Sequence, residues 1–299
     1  MELNTLLQYK PYSTARTEKR ALYAGLLTGL TQFHREHCPE YGRLLDALGC
    51  PAHMDCTVES TPMLPVSLFK ELELRSIPEG EVFKTITSSG TTGQRVSRIF
   101  LDGATSACQQ QALCQIMSDF LGERRLPFLV LDSRQVLRNR AMFSARGAGI
   151  LGFSIFGTRP CYALDEHMEL DLDGVRAFLE EHQGETIFLF GFTFIIWKHV
   201  VRALEERGER LDIPNGILVH GGGWKKLAGE AVSPGEFKAR VAAATGVERV
   251  SNYYGMAEQT GCIYMECPQG HLHASLWSDI VVRRGRDYRP CEPGEEGVL

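Results

Sequence analysis

No stretch of this 299-residue chain approaches the roughly 18 apolar residues needed to cross a bilayer. The longest apolar run, 186–197, is too short and contains Gly191. An integral membrane segment is therefore not expected. A basic surplus is also missing. Lys and Arg total 32 against 37 Asp and Glu, a net charge of −5, which argues against a nucleic-acid binder. The N-terminus lacks the basic-then-apolar pattern of a signal peptide, so a cytoplasmic location is expected. Nine scattered cysteines, an odd number, suit free thiols in a reducing compartment better than a disulfide framework. There is no internal repeat, no low-complexity segment and no long block of one charge sign. No Gly-Lys-Ser/Thr follows a glycine loop, which excludes a Walker A motif. No G-x-S-x-G occurs, which argues against a serine hydrolase. No cysteine has neighbours that mark it as activated.

The chain is long enough for one large α/β domain or about two domains, and it needs no disulfide or metal to stay folded. Leu22, Leu26, Leu27 and Leu30 recur at helix spacing, and 41–48 suits a second helix. Prolines 51, 62, 65 and 78 punctuate an irregular stretch. From there strands and helices alternate. Strands are expected at 96–101, 127–131, 186–190, 216–220 and 247–254. Helices are expected after Asp102, around Leu172 to Leu179, over 192–207 and over 234–245. Short antiparallel strands are expected at 262–266, 271–276 and 280–283. This order predicts an α/β fold, with mixed β-sheets flanked by helices and a small β-rich portion near the C-terminus. It divides into a helical and irregular part (1–80), an α/β nucleotide-binding core (81–255) and the β-rich portion (256–299).

Five clusters could carry chemistry. Ser88-Ser89-Gly90-Thr91-Thr92-Gly93-Gln94 offers backbone N–H groups and hydroxyls to phosphate oxygens, or is a flexible surface loop. His220-Gly221-Gly222-Gly223-Trp224 follows an apolar strand. Its glycines clear the way for a flat ligand beyond a strand end, or simply make a tight turn. Asn252-Tyr253-Tyr254-Gly255-Met256-Ala257-Glu258-Gln259 also follows a strand. There an aromatic ring can stack on a base and a carboxylate can hold Mg²⁺, or both can be plain structure. Gly147-Ala148-Gly149-Ile150-Leu151-Gly152 matches the dinucleotide fingerprint in letters. It lacks the strand before and the helix after, so a glycine-lined wall beside an apolar pocket is the better reading. Cys262, Cys267, His271, His273 and Cys291 have side chains that can bind zinc, although Cys262 and Cys267 are too widely spaced for a C-x2-C knuckle.

The first three clusters occur in the order of the adenylate-forming enzyme superfamily. The chain resembles most closely the acyl-protein synthetases of bacterial bioluminescence operons. The resemblance is carried by Ser88 to Gln94 with Ser97-Arg98-Ile99 and Asp102, and by Ser144-Ala145-Arg146-Gly147-Ala148-Gly149. Gly191-Phe192-Thr193-Phe194-Ile195-Ile196-Trp197, His220-Gly221-Gly222-Gly223-Trp224-Lys225-Lys226-Leu227 and Tyr254-Gly255-Met256-Ala257-Glu258-Gln259 carry it further. It covers nearly the whole chain. The phosphate loop is shared across the superfamily, whereas the His-Gly-Gly-Gly-Trp-Lys-Lys run is much more specific. Phenylacetate–CoA ligases are the next most similar group.

The resemblance implies that a fatty acid and Mg·ATP give an acyl-adenylate, whose acyl group passes to a protein thiol and on to a partner acyl reductase. By matched position, Ser88, Ser89, Gly90, Thr91, Thr92 and Gly93 would grip the β/γ-phosphates. Gly221, Gly222 and Gly223 would border the adenine, and Tyr254, next to Gly255, would stack on it. Glu258 would hold Mg²⁺, and Thr91 and Glu258 would be the catalytic pair. Phe192, Phe194 and Trp197 are weaker candidates for an acyl-pocket wall. A zinc ion at Cys262, Cys267, His271 and Cys291 is a further expectation.

The chain departs from the superfamily in three places. Gly93-Gln94-Arg95-Val96 replaces the usual Gly-x-Pro-Lys, leaving Arg95 to stand in for the lysine. Ala257 stands where Thr or Ser is frequent. The small C-terminal domain, with its catalytic lysine and acceptor cysteine, is expected to be absent. Coenzyme A as acceptor is an alternative outcome of the same activation. A silent scaffold subunit of a fatty-acid reductase complex and a nicotinamide-dependent reductase are rivals of other classes.

Overall fold

Three apolar segments without polar alternation form the centre of the structure, a computed structural model that describes residues 6–88, 95–137 and 145–299. They are the strands β3 (Leu126–Ser133), β5 (Ile187–Phe192) and β6 (Gly216–Gly221). Unbroken apolar runs of this kind suit parallel strands covered on both faces. The sheet has seven strands in the order β4-β3-β5-β6-β7-β8-β9. Its outer members are β4 (Gly157–Leu164), β7 (Arg249–Gly255), β8 (Ile263–Glu266) and β9 (Leu272–His273). β3 pairs in parallel with β4 and β5, β5 with β6, and β6 with β7, while β8 and β9 are antiparallel. A separate antiparallel pair joins β1 (Lys84–Thr87) to β2 (Arg98–Leu101).

The helix Ala145–Phe153 links β3 to β4. The helices Leu172–Glu181, Thr193–Ile195 continuing to Arg202–Arg207, and Pro234–Thr245 make the crossovers that follow. The first crossover steps one way along the sheet and the others step the opposite way. Right-handed crossovers therefore place the Ala145–Phe153 helix on one face and the rest on the other. Side-chain contacts agree. Phe128, Phe188, Phe190 and Phe192 alternate onto one face. There Phe153 stacks on Phe190 at 4.3 Å and lies 5.1 Å from Tyr253. His220 points to the other face, where its ring is 4.6 Å from that of Phe237 on the Pro234–Thr245 helix.

Local signals account for the helix ends. Ser233 Oγ accepts from Glu236 N at 3.2 Å, Pro234 follows it, and Gly246 ends the helix at φ +77. Asp102 Oδ1 accepts from Thr105 N at 2.6 Å and opens the helix Gly103–Leu121. That bond holds the Asp102 carboxyl below the usual range.

Two elements differ from expectation. The Gly147 to Gly152 run, where no helix was expected, lies inside one. The helix Arg16–His37 buries Lys19, Tyr23 and Thr31, while Leu30 stays 45% exposed. The leucine face is overridden there by polar anchors. Lys19 Nζ reaches Ser278 O and Asp279, and Tyr23 Oη donates to Leu276 O at 2.7 Å. Burial pushes the Lys19 amine below its ordinary value.

The chain forms two compact units that are discontinuous in sequence. One comprises residues 1–116, 255–263 and 274–299, the other 117–254 and 264–273. Among the described residues no helix is long and apolar enough to cross a membrane.

Candidate functional site

Connections leave β3 and β5 in opposite directions, which makes a topological switch point at their carboxyl ends. In the second unit that end of the sheet carries the chemistry-bearing residues. Asp132, on β3, is fully buried. Its carboxylate takes both Nε and Nη2 of Arg146, the former at 2.9 Å, and the backbone N–H of Ser133 at 2.7 Å. This bidentate pair ties the first turn of the Ala145–Phe153 helix to the end of β3.

The glycine turn follows β6. Gly222 and Gly223 have φ of +82 and +61, conformations that a side chain would strain. Gly221 is required for a different reason. A Cβ there would sit 2.7 Å from the Tyr253 ring. His220, just before the turn, is buried against Phe237. Thr193 Oγ1 donates to Gly221 O at 3.1 Å and lies 3.0 Å from His220 Nδ1. With its one hydrogen directed at Gly221, the threonine accepts from an Nδ1–H imidazole. Nε2 is then bare, and it has no hydrogen-bond partner among the described residues. Burial, with Lys238 adding repulsion, lowers the His220 pKa to about 3.

Tyr254 stands at the carboxyl end of β7, beside the end of β6. His220 pairs with Asn252, so the glycine turn and Tyr254 leave neighbouring parallel strands in the same direction. The Tyr254 side chain is itself partly open to solvent. The residue is 44% exposed, with the Tyr264 ring 6.2 Å away. Its neighbour Tyr253 is the more covered of the two, and desolvation of its ring raises the phenol to about 12.

Gly255 and Glu258 belong to the first unit. Met256 to Gln259 form a turn closed by Gln259 N donating to Met256 O at 3.2 Å. Two residues on, Gly261 has φ +84, and a Cβ there would lie 2.9 Å from Gln109 Cα in the Gly103–Leu121 helix. Glycine thus lets the turn rest directly on the helix backbone. The half-buried Glu258 carboxylate makes no hydrogen bond or ion pair among the described residues. A free hard-oxygen donor of this kind fits Mg²⁺.

Ser88 lies in the same unit. Its Oγ accepts from Ser97 N at 2.9 Å and its N–H donates to Ser97 O at 3.2 Å, extending the β1–β2 ladder by one step. Ser89, Gly90, Thr91, Thr92 and Gly93 lie outside the described residues. Arg95, expected to replace a lysine contact, donates to Glu71 Oε2 at 2.7 Å.

The three aromatic candidates do not line one surface. Phe192 faces the Ala145–Phe153 helix. Trp197 lies on the opposite face, edge-on to Trp224 at 5.3 Å and under the Arg240 guanidinium at 4.2 Å. Phe194 is half-buried.

The zinc expectation is corrected. Cys262 and Cys291 belong to one unit, Cys267 and His271 to the other. Cys262 Sγ donates to Trp277 O at 3.3 Å, and Cys267 N bonds His271 O across the β8–β9 turn. Among the described residues no group of three or more His, Cys, Asp or Glu is placed to hold a metal ion.

Sequence reasoning passed over Thr193, Asp132 and the ion-pairing role of Arg146. A threonine directly after an apolar strand, and an aspartate ending one, were the available signals.

The fold is that of adenylate-forming ligases. A solved 2-hydroxyisobutyryl-CoA ligase, in an open conformation with 2-HIB-AMP and CoA, superposes with a TM-score of 0.66 at 16% identity. The match covers 97% of this chain and 65% of that one. Its postadenylation form gives 0.63 at 16% identity, covering 96% and 60%. The chain thus spans about two thirds or less of these ligases. The sequence pattern of the family described as acyl-protein synthetase, LuxE, matches residues 2–299, and the chain belongs to that family. The long-chain-fatty-acid–luciferin-component ligase of Vibrio harveyi is 20% identical over 97% of this chain and 76% of its own length.

Proposed function

We propose that the protein activates a fatty acid with ATP as an acyl-adenylate and transfers the acyl group to a protein thiol, from which an acyl reductase draws it. The observation that carries the nucleotide part is the pairing of a side-chain-free turn, Gly221 to Gly223, with the exposed Tyr254 ring on the next parallel strand. Together they offer a flat slot for a purine, with the ring stacking on one side. Family membership supports the fatty acid and the protein acceptor.

A carboxylate is a poor electrophile because its oxygen leaves badly. In the first step a carboxylate oxygen attacks the α-phosphorus and pyrophosphate departs. In the second, a thiol sulfur attacks the acyl carbon, AMP departs and the thiol proton goes to solvent. In this reading Ser88 to Gly93 grip the β/γ-phosphates, and Tyr254 and the glycine turn hold the adenosine. Glu258 holds Mg²⁺, which would neutralise phosphate charge when bound. Thr91 and Glu258 act on the reacting phosphates.

Calorimetric titration with a long-alkyl acyl-sulfamoyl adenosine tests this reading. Saturable binding is expected, weakened about 10- to 100-fold in Tyr254→Ala, the range that loss of one stacked base accounts for. A folded sample that does not bind refutes it. Incubation of the full-length gene product with labelled fatty acid and Mg·ATP then tests the acceptor. A hydroxylamine-labile label on protein supports the thiol, and acyl-CoA formation alone overturns it.

A further inference from the structure

We propose that the end of β5 sets the position of the glycine turn, and that Gly149 controls this setting through the Phe192 ring. The proposal deepens the reading above, in which that turn borders the adenine.

Phe192 and Gly221 are register partners at the carboxyl ends of β5 and β6. On one face of the sheet the Phe192 ring is held between two glycines. A Cβ built on Gly222 would lie 2.5 Å from Phe192 Cδ1 and 3.1 Å from Cε1. A Cβ on Gly149, in the Ala145–Phe153 helix, would lie 3.0 Å from Phe192 Cζ and 3.4 Å from Cε2. On the opposite face the next residue, Thr193, holds Gly221 O and His220. The last residue of β5 and the first of the following helix therefore grip the turn from both sides.

The consequence is mechanical. A methyl group at position 149 pushes the ring by a few tenths of an ångström. The ring cannot retreat, because the Gly222 backbone is already against it. The displacement passes to Gly221–Gly223, a turn whose last two residues are already at positive φ. Gly152, in the same helix, has nothing within 4 Å of an added Cβ. This explains why a helix carries glycine where alanine would favour it. Gly149 and Phe192 are positioning residues and act through the turn.

The test compares wild type, Gly149→Ala, Phe192→Leu, their double variant and Gly152→Ala. The readouts are hydrogen exchange of the 220–227 segment and affinity for the acyl-sulfamoyl adenosine. Each of the first two single substitutions should speed exchange at the turn, one by pushing the ring and the other by vacating its place. Each should weaken binding about five- to tenfold, as small misplacements of a binding wall do. The double variant should return toward wild type in both readouts, because the smaller side chain accommodates the methyl group. Gly152→Ala should match wild type. Additive loosening in the double variant overturns the proposal. So does Phe192→Leu with unchanged exchange, a result independent of whether Gly149→Ala folds. If the exchange pattern is as expected but wild type does not bind the nucleotide, the positioning inference stands and the adenylation reading falls.

Discussion

Acidification provides a test of the His220 environment. An ordinary imidazole titrates near 6.5, whereas burial lowers His220 to about 3. Between these values the unfolded chain binds about one more proton at this site than the folded protein does. Stability from this residue is therefore fully present above pH 6.5 and is lost as pH falls toward 3, with a slope of about 1.4 kcal/mol per pH unit. From pH 6.5 to 4.5 the loss is about 2.3 kcal/mol, because the slope is only half developed at pH 6.5. His220 is only 5% exposed, so solvent screening reduces this little. Urea unfolding across a pH series measures the slope, and His220→Asn removes the titrating ring while keeping a donor toward Thr193. Carboxylates titrate in the same range in both proteins and cancel in the difference. The variant should be less stable at pH 7 but should lose about 2.5 kcal/mol less than wild type on the way to pH 4.5. Parallel slopes in the two proteins would refute the reasoning, and so would an imidazole signal titrating near 6.5.

Other expectations concern the two units separately. Arg146→Met leaves the fully buried Asp132 carboxylate without its counter-ion and should cost about 3–5 kcal/mol in denaturant unfolding. Asp132→Asn should cost less, because the Arg146 side chain is 24% exposed and can turn toward water. Equal costs would mean that the burial asymmetry does not govern the pair. Gly261→Ala forces a Cβ against Gln109 Cα at positive φ, and should lower stability by about 1–3 kcal/mol. It should also abolish the Mg²⁺-dependent part of ATP binding, since the Glu258 turn can no longer rest on the helix. Unchanged Mg²⁺ dependence in a folded variant would count against Glu258 as the ligand.

Most of the α/β alternation was legible because buried parallel strands are nearly continuous apolar runs. The Pro234–Thr245 helix was readable to the residue, since Ser233, Pro234 and Gly246 mark both ends. The Ala145–Phe153 helix and β4 were not. Three glycines obscured the helix, and Arg159 and Pro160 interrupt the apolar pattern of β4. In the β-rich portion only Leu272–His273 forms a strand within 271–276. Of 280–283, Arg283 alone makes bridges, to Pro290 and Val298.

The sequence by itself determined the strand and helix order, the caps, and the family, because these depend on residues near one another in the chain. It also named the glycine turn and the tyrosine after β7. Only the tertiary structure decided which of two adjacent tyrosines is exposed, since a strand sends neighbours to opposite faces and the covering helix selects one. It alone separated Phe192 from Trp197 across the sheet, and it left no metal-holding group of His, Cys, Asp or Glu among the described residues. It alone joined Gly149, Phe192 and Gly222, whose contact depends on a crossover that no local pattern encodes.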